Sequence, residues 1–350
     1  MTGGVDTHGQ THHAAVLDAL GRQLGDREFP TTPAGYRGRR HWLAGHGDLE
    51  RVGVEGTGSY GAALARQLAE EGVHVVEVDR PDRKARRAQG KSDPLDAYSA
   101  ARAVLSGTAT GQPKTRDGRV ESIRALRVAR SGAMKARTQA MNQLRSLLTT
   151  APAELREQLR ALRAASLVST AVRLRPGPDL DDPLQATKTA LRRIARRYEH
   201  LSLETAEADD ELRTLTADAA PRPLQLHGVG PEVAAQLLIT AGDNPRRLRS
   251  ESAFAHLCGV APVPASSGRI NRYRLNRGGD RQVNKALYTV VVVRLRWDER
   301  TREYARRRTA QGLSKPEIIR CLKRYVVREV FPALQPQPVE DGASTPLDKP

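Results

Sequence analysis

The chain has 350 residues, of which 57 are Lys or Arg and 40 are Asp or Glu, so its formal net charge is +17. Such a charge predicts attraction to polyanions, and an excess of arginine favours phosphate oxygens. No apolar stretch approaches the about 20 residues that a membrane span needs, and we find no signal peptide, which makes nucleic acid a better partner than a membrane. The two cysteines, Cys258 and Cys321, lack the spacing of a disulfide framework or a zinc site, which fits a reducing cytoplasm.

Residues 1–110 alternate short apolar runs with helical patterns, as is typical of an α/β fold. A short first strand ends at Asp6, and "AAVLD" and "QLGDREF" predict the next two strands. Thr32 and Pro33 indicate the start of a helix, and Gly72 indicates the end of another. The predicted order β-β-β-α-β-α-β-α is that of a ribonuclease-H-like mixed sheet with helices on both faces.

Four carboxylates fall where this fold would bring them together. Asp6 ends the first strand, and Glu55 ends the strand "RVGVE", its expected neighbour. Asp93 and Asp96 are three residues apart, on one face of a helix that begins near Ser92. Four carboxylates repel each other unless cations neutralise them, and oxygen ligands select Mg²⁺, so we expect a two-ion magnesium site for phosphodiester cleavage. Taken singly, Asp93 could merely favour a helix dipole and Glu55 could merely sit in a turn.

Three histidines in the segment "THGQTHH" are of the type that binds metals. They are His8, His12 and His13. On a short β-turn-β they would point in different directions, so we do not expect them to form a metal site.

Residues 111–220 predict a helical region. Apolar residues recur at spacings of three and four on either side of a turn at 175–183, which indicates two long helices in an antiparallel pair or a coiled coil. A plain helical linker and a dimerisation arm are both consistent with this pattern.

Residues 221–332 form a third, strongly basic region, with 22 Lys and Arg against 9 Asp and Glu in 221–330. Gly228 and Gly230 lie between two short helical segments, a pattern that resembles a helix-hairpin-helix grip on DNA phosphates but also closes ordinary helix turns. The Pro-rich residues 333–350 predict a disordered tail.

The segment "ASSGRINRYRLNRGGDRQVNK" combines two serines, Ser266 and Ser267, with a dense run of basic residues. Those residues are Arg269, Arg272, Arg274, Arg277, Arg281 and Lys285. A serine among arginines could attack a phosphodiester, or the segment could be a polar turn with a phosphate-binding face. No histidine base is adjacent, so a serine-hydrolase triad is not supported.

Several of these segments resemble a known family. "GVDTHGQTHHAAVLDALGRQLG", "VGVEGTGSYGAALARQL" and "GKSDPLDAYSAARAVLSG" are similar to the N-terminal half of DEDD transposases of the IS-one-ten and IS-eleven-eleven group. The stretch from "LHGVGPEVAAQLL" to "DRQVNKALY" resembles their C-terminal transposase domain. The resemblance extends over nearly the whole chain to about residue 330.

The resemblance implies a RuvC-like nuclease domain whose catalytic, metal-binding set is Asp6, Glu55, Asp93 and Asp96. It also implies that Ser267, which stands directly before a glycine, is the nucleophile that forms a covalent link to DNA, with Ser266 as the alternative. The expected partners are donor and target double-stranded DNA, further copies of the chain in a homodimer or homotetramer, and by analogy a guide (bridge) RNA. A bacterial, cytoplasmic, nucleoid-associated protein would follow.

Three other functions share parts of the pattern. A Holliday-junction resolvase of the same fold would use the carboxylates with water and would not need the serine. An actin-like ATPase would need a second phosphate loop, which we do not find in the second half of the sequence. A nucleic-acid-binding protein without activity would not need all four carboxylates.

Overall fold

The computed structural model describes residues 1–78, 92–266 and 273–336, and its N-terminal part is built on a five-stranded sheet. The strand order is β3-β2-β1-β4-β5, with β1, β2 and β3 antiparallel and with β4 parallel to both β1 and β5. The mixed sheet is therefore confirmed, and its order is compatible with a ribonuclease-H-like fold. The strands are β1 (Thr2–Thr7), β2 (Thr11–Leu17), β3 (Gln23–Pro30), β4 (Arg51–Glu55) and β5 (His74–Val78).

Helices cover both faces of this sheet. On one face lie α1 (Pro33–Ala44) and α2 (Ala62–Glu70). Leu64 and Leu68 of α2 pack against alternate strand residues such as Val5. Thr32 caps α1 as predicted, since its hydroxyl accepts a hydrogen bond from the backbone of Gly35. On the other face lies α3 (Asp93–Leu105), which begins directly after Ser92.

Close backbone contact fixes α3 against the centre of the sheet. Gly4 of β1 and Gly53 of β4 both lie beneath it. A side chain at Gly4 would overlap the backbone of Ala97 and Ala101, and one at Gly53 would lie 2.8 Å from the carbonyl oxygen of Ala100. The two glycines therefore allow the helix to approach more closely than any other residue would permit.

The middle of the chain is an antiparallel pair of long helices, α4 (Arg119–Thr149) and α7 (Pro183–Ala219). Arg130 of α4 donates to Asp209 of α7, whereas Gln143, further along α4, meets Arg197, nearer the start of α7. The pairing of later residues with earlier ones confirms the antiparallel alternative.

Two short helices connect α4 to α7 in the chain, where the sequence pattern did not indicate separate helices. They are α5 (Ala153–Leu159) and α6 (Ala164–Val172), and they close a small apolar core at the far end of the long helices. Leu144, Leu155 and Leu191 are among the fully buried residues of that core.

The C-terminal region packs on the opposite end of the long helices, because Ile123 of α4 and Leu212 of α7 belong to its core. Its last helix ends at Leu334, two residues beyond the predicted boundary, and most of the predicted tail, 337–350, lies outside the described residues. No helix within the described ranges is both long and apolar enough to cross a membrane. The elements are α8 (Pro221–Leu224), α9 (Pro231–Ala241), α10 (Glu251–Leu257), β6 (Val263–Pro264), β7 (Tyr273–Arg274), α11 (Arg281–Trp297), α12 (Glu299–Ala310) and α13 (Lys315–Leu334).

Candidate metal centre

Asp6 projects from the centre of the sheet towards the start of α3. Its neighbour Val5 packs on the face covered by α1 and α2, so the alternation of a strand turns Gly4 and Asp6 to the other face. Gly4 meets Ala97 of α3, and Asp93 lies one helical turn before Ala97. Two residues along a strand and four along a helix both advance about 6 to 7 Å, so the packing at Gly4 places Asp93 beside Asp6.

The atoms of this site confirm that geometry and add a histidine. His8 Nε2 lies 3.1 Å from Asp6 Oδ2 and 3.3 Å from Asp93 Oδ1. One ligand atom from each of the three residues lies within 4.8 Å of the other two, which is compact enough to surround a single cation. Asp6 Oδ2 and His8 Nε2 are buried, and neither has a partner with hydrogen-bond geometry among the described residues, although the distance between them allows electrostatic attraction.

The other two predicted carboxylates lie next to this group. Asp96 is buried one turn along the same face of α3 as Asp93. Glu55 follows Val54, the residue that pairs with Val5, so it ends β4 beside the end of β1. The Thr7 hydroxyl donates to the backbone oxygen of Glu55 at 2.8 Å and holds the two strand ends together.

The electrostatics of Asp6 reflect this crowding. Burial is the largest cause that raises the pKa of its carboxyl group, and the nearby Asp96 and Asp93 raise it further, whereas His8 lowers it. A cation in the same space would favour the charged carboxylates. The arrangement therefore has the oxygen donors and the unrelieved negative charge of a divalent-cation site.

The three histidines do not come together, in line with the sequence prediction, but His8 lies beside Asp6 and Asp93, a contact that the sequence analysis did not anticipate. His13 pairs with Asp26 at 2.7 Å, and His12 is buried against the ring of Tyr36. His8 follows Asp6 by two residues, and this spacing keeps both side chains on one side of an extended chain. This spacing of two residues was the feature of the sequence that could have predicted His8 beside Asp6.

The predicted serine segment is only partly described. Ser267, Arg269 and Arg272 lie outside the described residues, and Ser266 is the last described residue before them. The remaining four basic residues, Arg274, Arg277, Arg281 and Lys285, are all exposed. Their exposure is compatible with contacts to phosphate.

The predicted glycine turn lies between α8, which has a single turn, and α9. Gly228 has a φ of +81° and packs against Val290 of α11, while Arg294 donates to the carbonyl oxygen of His227 at 2.8 Å. Gly230 is exposed at the start of α9. Part of this turn therefore serves packing within the C-terminal region.

Comparisons with known proteins agree with this layout. A family model described as a transposase, of the DEDD type of IS110, matches residues 3–152 and so includes all four predicted carboxylates. A second model, described as the transposase of the IS116/IS110/IS902 family, matches residues 223–306 and so includes the serine segment.

Three curated relatives are similar to parts of the chain. The 42 kDa protein of insertion element IS900 from Mycobacterium paratuberculosis is 27% identical over 46% of this chain and 41% of its own length. The 43.6 kDa protein of insertion element IS110 from Streptomyces coelicolor is 30% identical over 33% of this chain and 29% of its own length. The IS117 mini-circle protein from Streptomyces coelicolor, named as a candidate transposase, is 26% identical over 76% of this chain and 77% of its own length. Since the two family models together match more than half of the residues, the chain belongs to the IS110 family of insertion-sequence transposases.

Proposed function

We propose that this protein is a DNA transposase, a recombinase that cuts and rejoins DNA strands of an insertion sequence. The observation that carries the proposal is the meeting of Asp6, His8 and Asp93 at the end of the central strands, with Asp96 and Glu55 beside them. Membership of a transposase family and a net charge of +17 support the choice of DNA as substrate.

The carboxylates Asp6, Glu55, Asp93 and Asp96 would hold divalent cations, and we propose two Mg²⁺ ions. The fit rests on the oxygen-rich donor set and on the buried Asp6 Oδ2 that lacks a hydrogen-bond partner among the described residues. When bound, such ions stabilise negative charge on the attacking and leaving oxygens of a phosphodiester. His8 adds a nitrogen donor that can accept or hold a proton at Nε2, within 3.3 Å of both Asp6 and Asp93.

Ser267 would be the nucleophile, with Ser266 as its neighbour in the chain. In the proposed step, the serine Oγ forms a bond to phosphorus, the phosphorus bond to one deoxyribose oxygen breaks, and the serine proton passes to the departing hydroxyl group. A hydroxyl group from another strand then reverses the exchange and releases the serine. The exposed Arg274, Arg277 and Arg281 would hold the flanking phosphates.

The assembly would contain donor and target double-stranded DNA and two or four copies of the chain. A guide RNA from the element itself is part of the proposal, since the basic surfaces suit any nucleic-acid backbone. The long pair of α4 and α7 offers an arm for association between copies.

Denaturing electrophoresis of a cleavage reaction tests the proposal. Wild-type protein with divalent cations and labelled DNA is expected to give a protein–DNA band that survives denaturation. Ser267→Ala should lose this band, whereas Ser266→Ala, its matched control, should keep it. Cleaved DNA without any protein-linked band, in wild type and in Ser267→Ala alike, would instead indicate a resolvase that uses water.

A further inference from the structure

A large open cavity in the C-terminal region lies apart from the carboxylates. Its volume is about 790 Å³, within the range of sites for small molecules and nucleotides. It is bounded by α12 and α13 on one side and by β7 with the chain around Gly259 on the other. We call it the tyrosine groove, after the three tyrosines on its wall, Tyr273, Tyr304 and Tyr325.

The tyrosines of the groove present ring surface to solvent. Tyr273 is 69% exposed and Tyr325 is 45% exposed, although both are large and largely apolar. The rings of Tyr304 and Tyr325 meet edge to face, with centroids 5.5 Å apart and planes at 79°, so each orients the other. Neighbouring exposed aromatic rings on one cavity wall indicate a surface that is covered by a ligand.

Positive charge surrounds these rings. The wall holds seven basic side chains against one acidic side chain, Glu317. Arg328 lies 5.4 Å from the ring centre of Tyr325, and Arg307 lies 5.6 Å from that of Tyr304. The basic residues are Arg274, Arg307, Arg308, Arg320, Lys323, Arg324 and Arg328.

Some of this charge is already neutralised and some is not. Arg324 pairs with Glu251, and Arg320 lies 3.9 Å from Glu317. Arg274, Arg307 and Arg328 have no ion-pair partner within the parts of the chain that the structure describes. These three guanidinium groups are therefore available to an anionic ligand.

The floor of the groove is held in place by buried polar contacts. Lys323 is buried and donates to Asn284 Oδ1 at 2.9 Å, while Asn284 Nδ2 donates to the backbone oxygen of Cys258 at 2.8 Å. Gly259, with a φ of +65°, is in backbone contact with Gly279, where a Cβ would overlap Gly259. The groove is thus formed before a ligand binds, which lowers the entropic cost of binding.

We propose that the tyrosine groove binds unpaired nucleotides of a DNA strand, with bases stacked on Tyr325 and Tyr273 and phosphates held by Arg274, Arg307 and Arg328. Stacking requires the face of a base, and in a duplex the neighbouring base pairs cover both faces, so only an unpaired strand can use the tyrosines. Arginines interspersed with aromatic rings suit the phosphates and bases of such a strand.

The choice of DNA rests on the proposed function. β6 and β7, which pair with each other, stand directly before and after the segment that contains Ser266 and Ser267 in the sequence, and Tyr273 and Arg274 are β7 itself. A strand whose phosphate is attacked by a serine of that segment would then run near the pair of β6 and β7 that flanks the segment in the chain. The groove would then hold the nucleotides next to the cleaved bond.

The test measures binding apart from chemistry. Full-length protein is titrated, in the presence of EDTA, into a fluorescein-labelled single-stranded DNA, the same sequence as a duplex, and the same sequence as RNA. Tyr325→Ala and Tyr273→Ala are expected to weaken single-stranded DNA binding by about 5- to 100-fold each, the scale of one lost stacking contact. Duplex binding should change by less than about threefold, because phosphate contacts dominate it.

Matched variants show whether stacking is the cause. Tyr288 is 47% exposed on α11 but lies outside the groove, so Tyr288→Ala should leave single-stranded binding unchanged. Tyr325→Phe keeps the ring and should bind like wild type. An equal loss in Tyr288→Ala, no loss in either groove variant, or a loss confined to RNA would overturn the proposal.

The outcomes also separate this inference from the proposed function. Binding in EDTA does not depend on cleavage. If the groove variants lose single-stranded DNA binding but wild-type protein forms no covalent link to DNA, only the serine chemistry is refuted. A protein that forms the link while Tyr325→Ala and Tyr273→Ala bind single strands normally would refute only the groove.

Discussion

Asp6 carries an energetic cost in the protein without metal. It is buried and two other aspartates lie close to it, and a positive charge nearby would offset both effects. His8 supplies that charge only when it is protonated. A carboxylate group that is strained in this way is typical of a functional site.

Replacing Asp6 by Asn should therefore stabilise the protein in EDTA and remove its response to metal. We expect the free energy of unfolding of Asp6→Asn to rise by about 1 kcal/mol in EDTA, the scale of a like-charge contact. Wild type should gain about 2.7 kcal/mol when Mg²⁺ or Mn²⁺ is at 100 times its dissociation constant, and the variant should gain much less. Urea unfolding with and without cation measures both effects.

An exposed aspartate provides the control. Asp218 lies on the surface of α7, so Asp218→Asn should keep the wild-type metal response. If Asp6→Asn and wild type were stabilised equally by cations, Asp6 would not be a ligand.

His12 makes a separate contribution that depends on pH. Burial is the main cause that lowers its pKa to about 4, and the positive charge of the buried Arg39 lowers it further. The folded protein therefore binds fewer protons than the unfolded chain between about pH 4 and the ordinary value of 6.5, and its stability falls as the pH is lowered through this window.

We expect this group to cost about 2 kcal/mol of stability on going from about pH 7 to about pH 4.5. His12→Phe keeps a ring against Tyr36 but cannot titrate, so the loss of stability over this range should be smaller in the variant by that amount. Urea unfolding at the two pH values gives the difference. An identical pH dependence in both proteins would show that His12 titrates normally.

At the scale of elements, the contact between α3 and β1 brings Asp93 to Asp6 in the proposed metal centre. Gly4→Ala would force its methyl group into the backbone of Ala97 and Ala101, so the start of α3, with Asp93 and Asp96, must move away from Asp6. We expect a loss of stability of about 1–3 kcal/mol, typical of an overpacked core, together with a weaker response to metal. Thermal unfolding with and without cation measures both.

Gly38 is the matched control in the same domain. It is exposed on α1 with no atom close to the position of a Cβ, so Gly38→Ala should stabilise the protein by about 0.5–1 kcal/mol and leave the metal response unchanged. A Gly4→Ala variant with wild-type metal binding would show that α3 does not need this close contact.

Elements with strong local signals could be predicted from the sequence, and contacts between distant elements could not. Thr32 caps α1 through its side chain because capping acts locally, and Ser92 stands at the N-cap position of α3, although its side chain makes no capping hydrogen bond. The two long helices follow from their apolar period. The separation of α5 from α6 was missed because both are shorter than the window in which a helical period is visible.

The same distinction applies to the sites. The meeting of Asp6 with Asp93 was predictable because a ribonuclease-H-like order places strand ends and one helix face together. The tyrosine groove was not, since Tyr273, Tyr304 and Tyr325 come from three elements, and the sequence does not show which helix faces turn towards each other. The high positive charge of the C-terminal region was the feature of the sequence that pointed towards this groove.

At the scale of the whole molecule, the carboxylates of the proposed metal centre and the basic residues proposed to bind nucleic acid lie on different parts of the chain. The carboxylates lie on the N-terminal sheet and α3, whereas the tyrosine groove is formed by α12, α13 and β7. Arg247 lies 3.7 Å from Glu77 of β5, which links the C-terminal region to the sheet, and Lys114 Nζ, in the segment between α3 and α4, donates a hydrogen bond to the backbone oxygen of Ile239. Binding of nucleic acid should therefore be separable from strand exchange.

Asp93→Asn tests this separation, because it changes one oxygen of the proposed metal centre and leaves every arginine in place. Strand exchange should fall below detection, while affinity for duplex DNA should stay within about threefold of wild type. Plots of the logarithm of affinity against the logarithm of salt concentration should be steep and parallel for the two proteins, since each phosphate contact releases counterions that the substitution does not alter. A flat plot for wild type would place the DNA away from the basic surfaces, and an equal loss of binding and exchange would show that Asp93 supports the fold of the nucleic-acid surface as well as the metal.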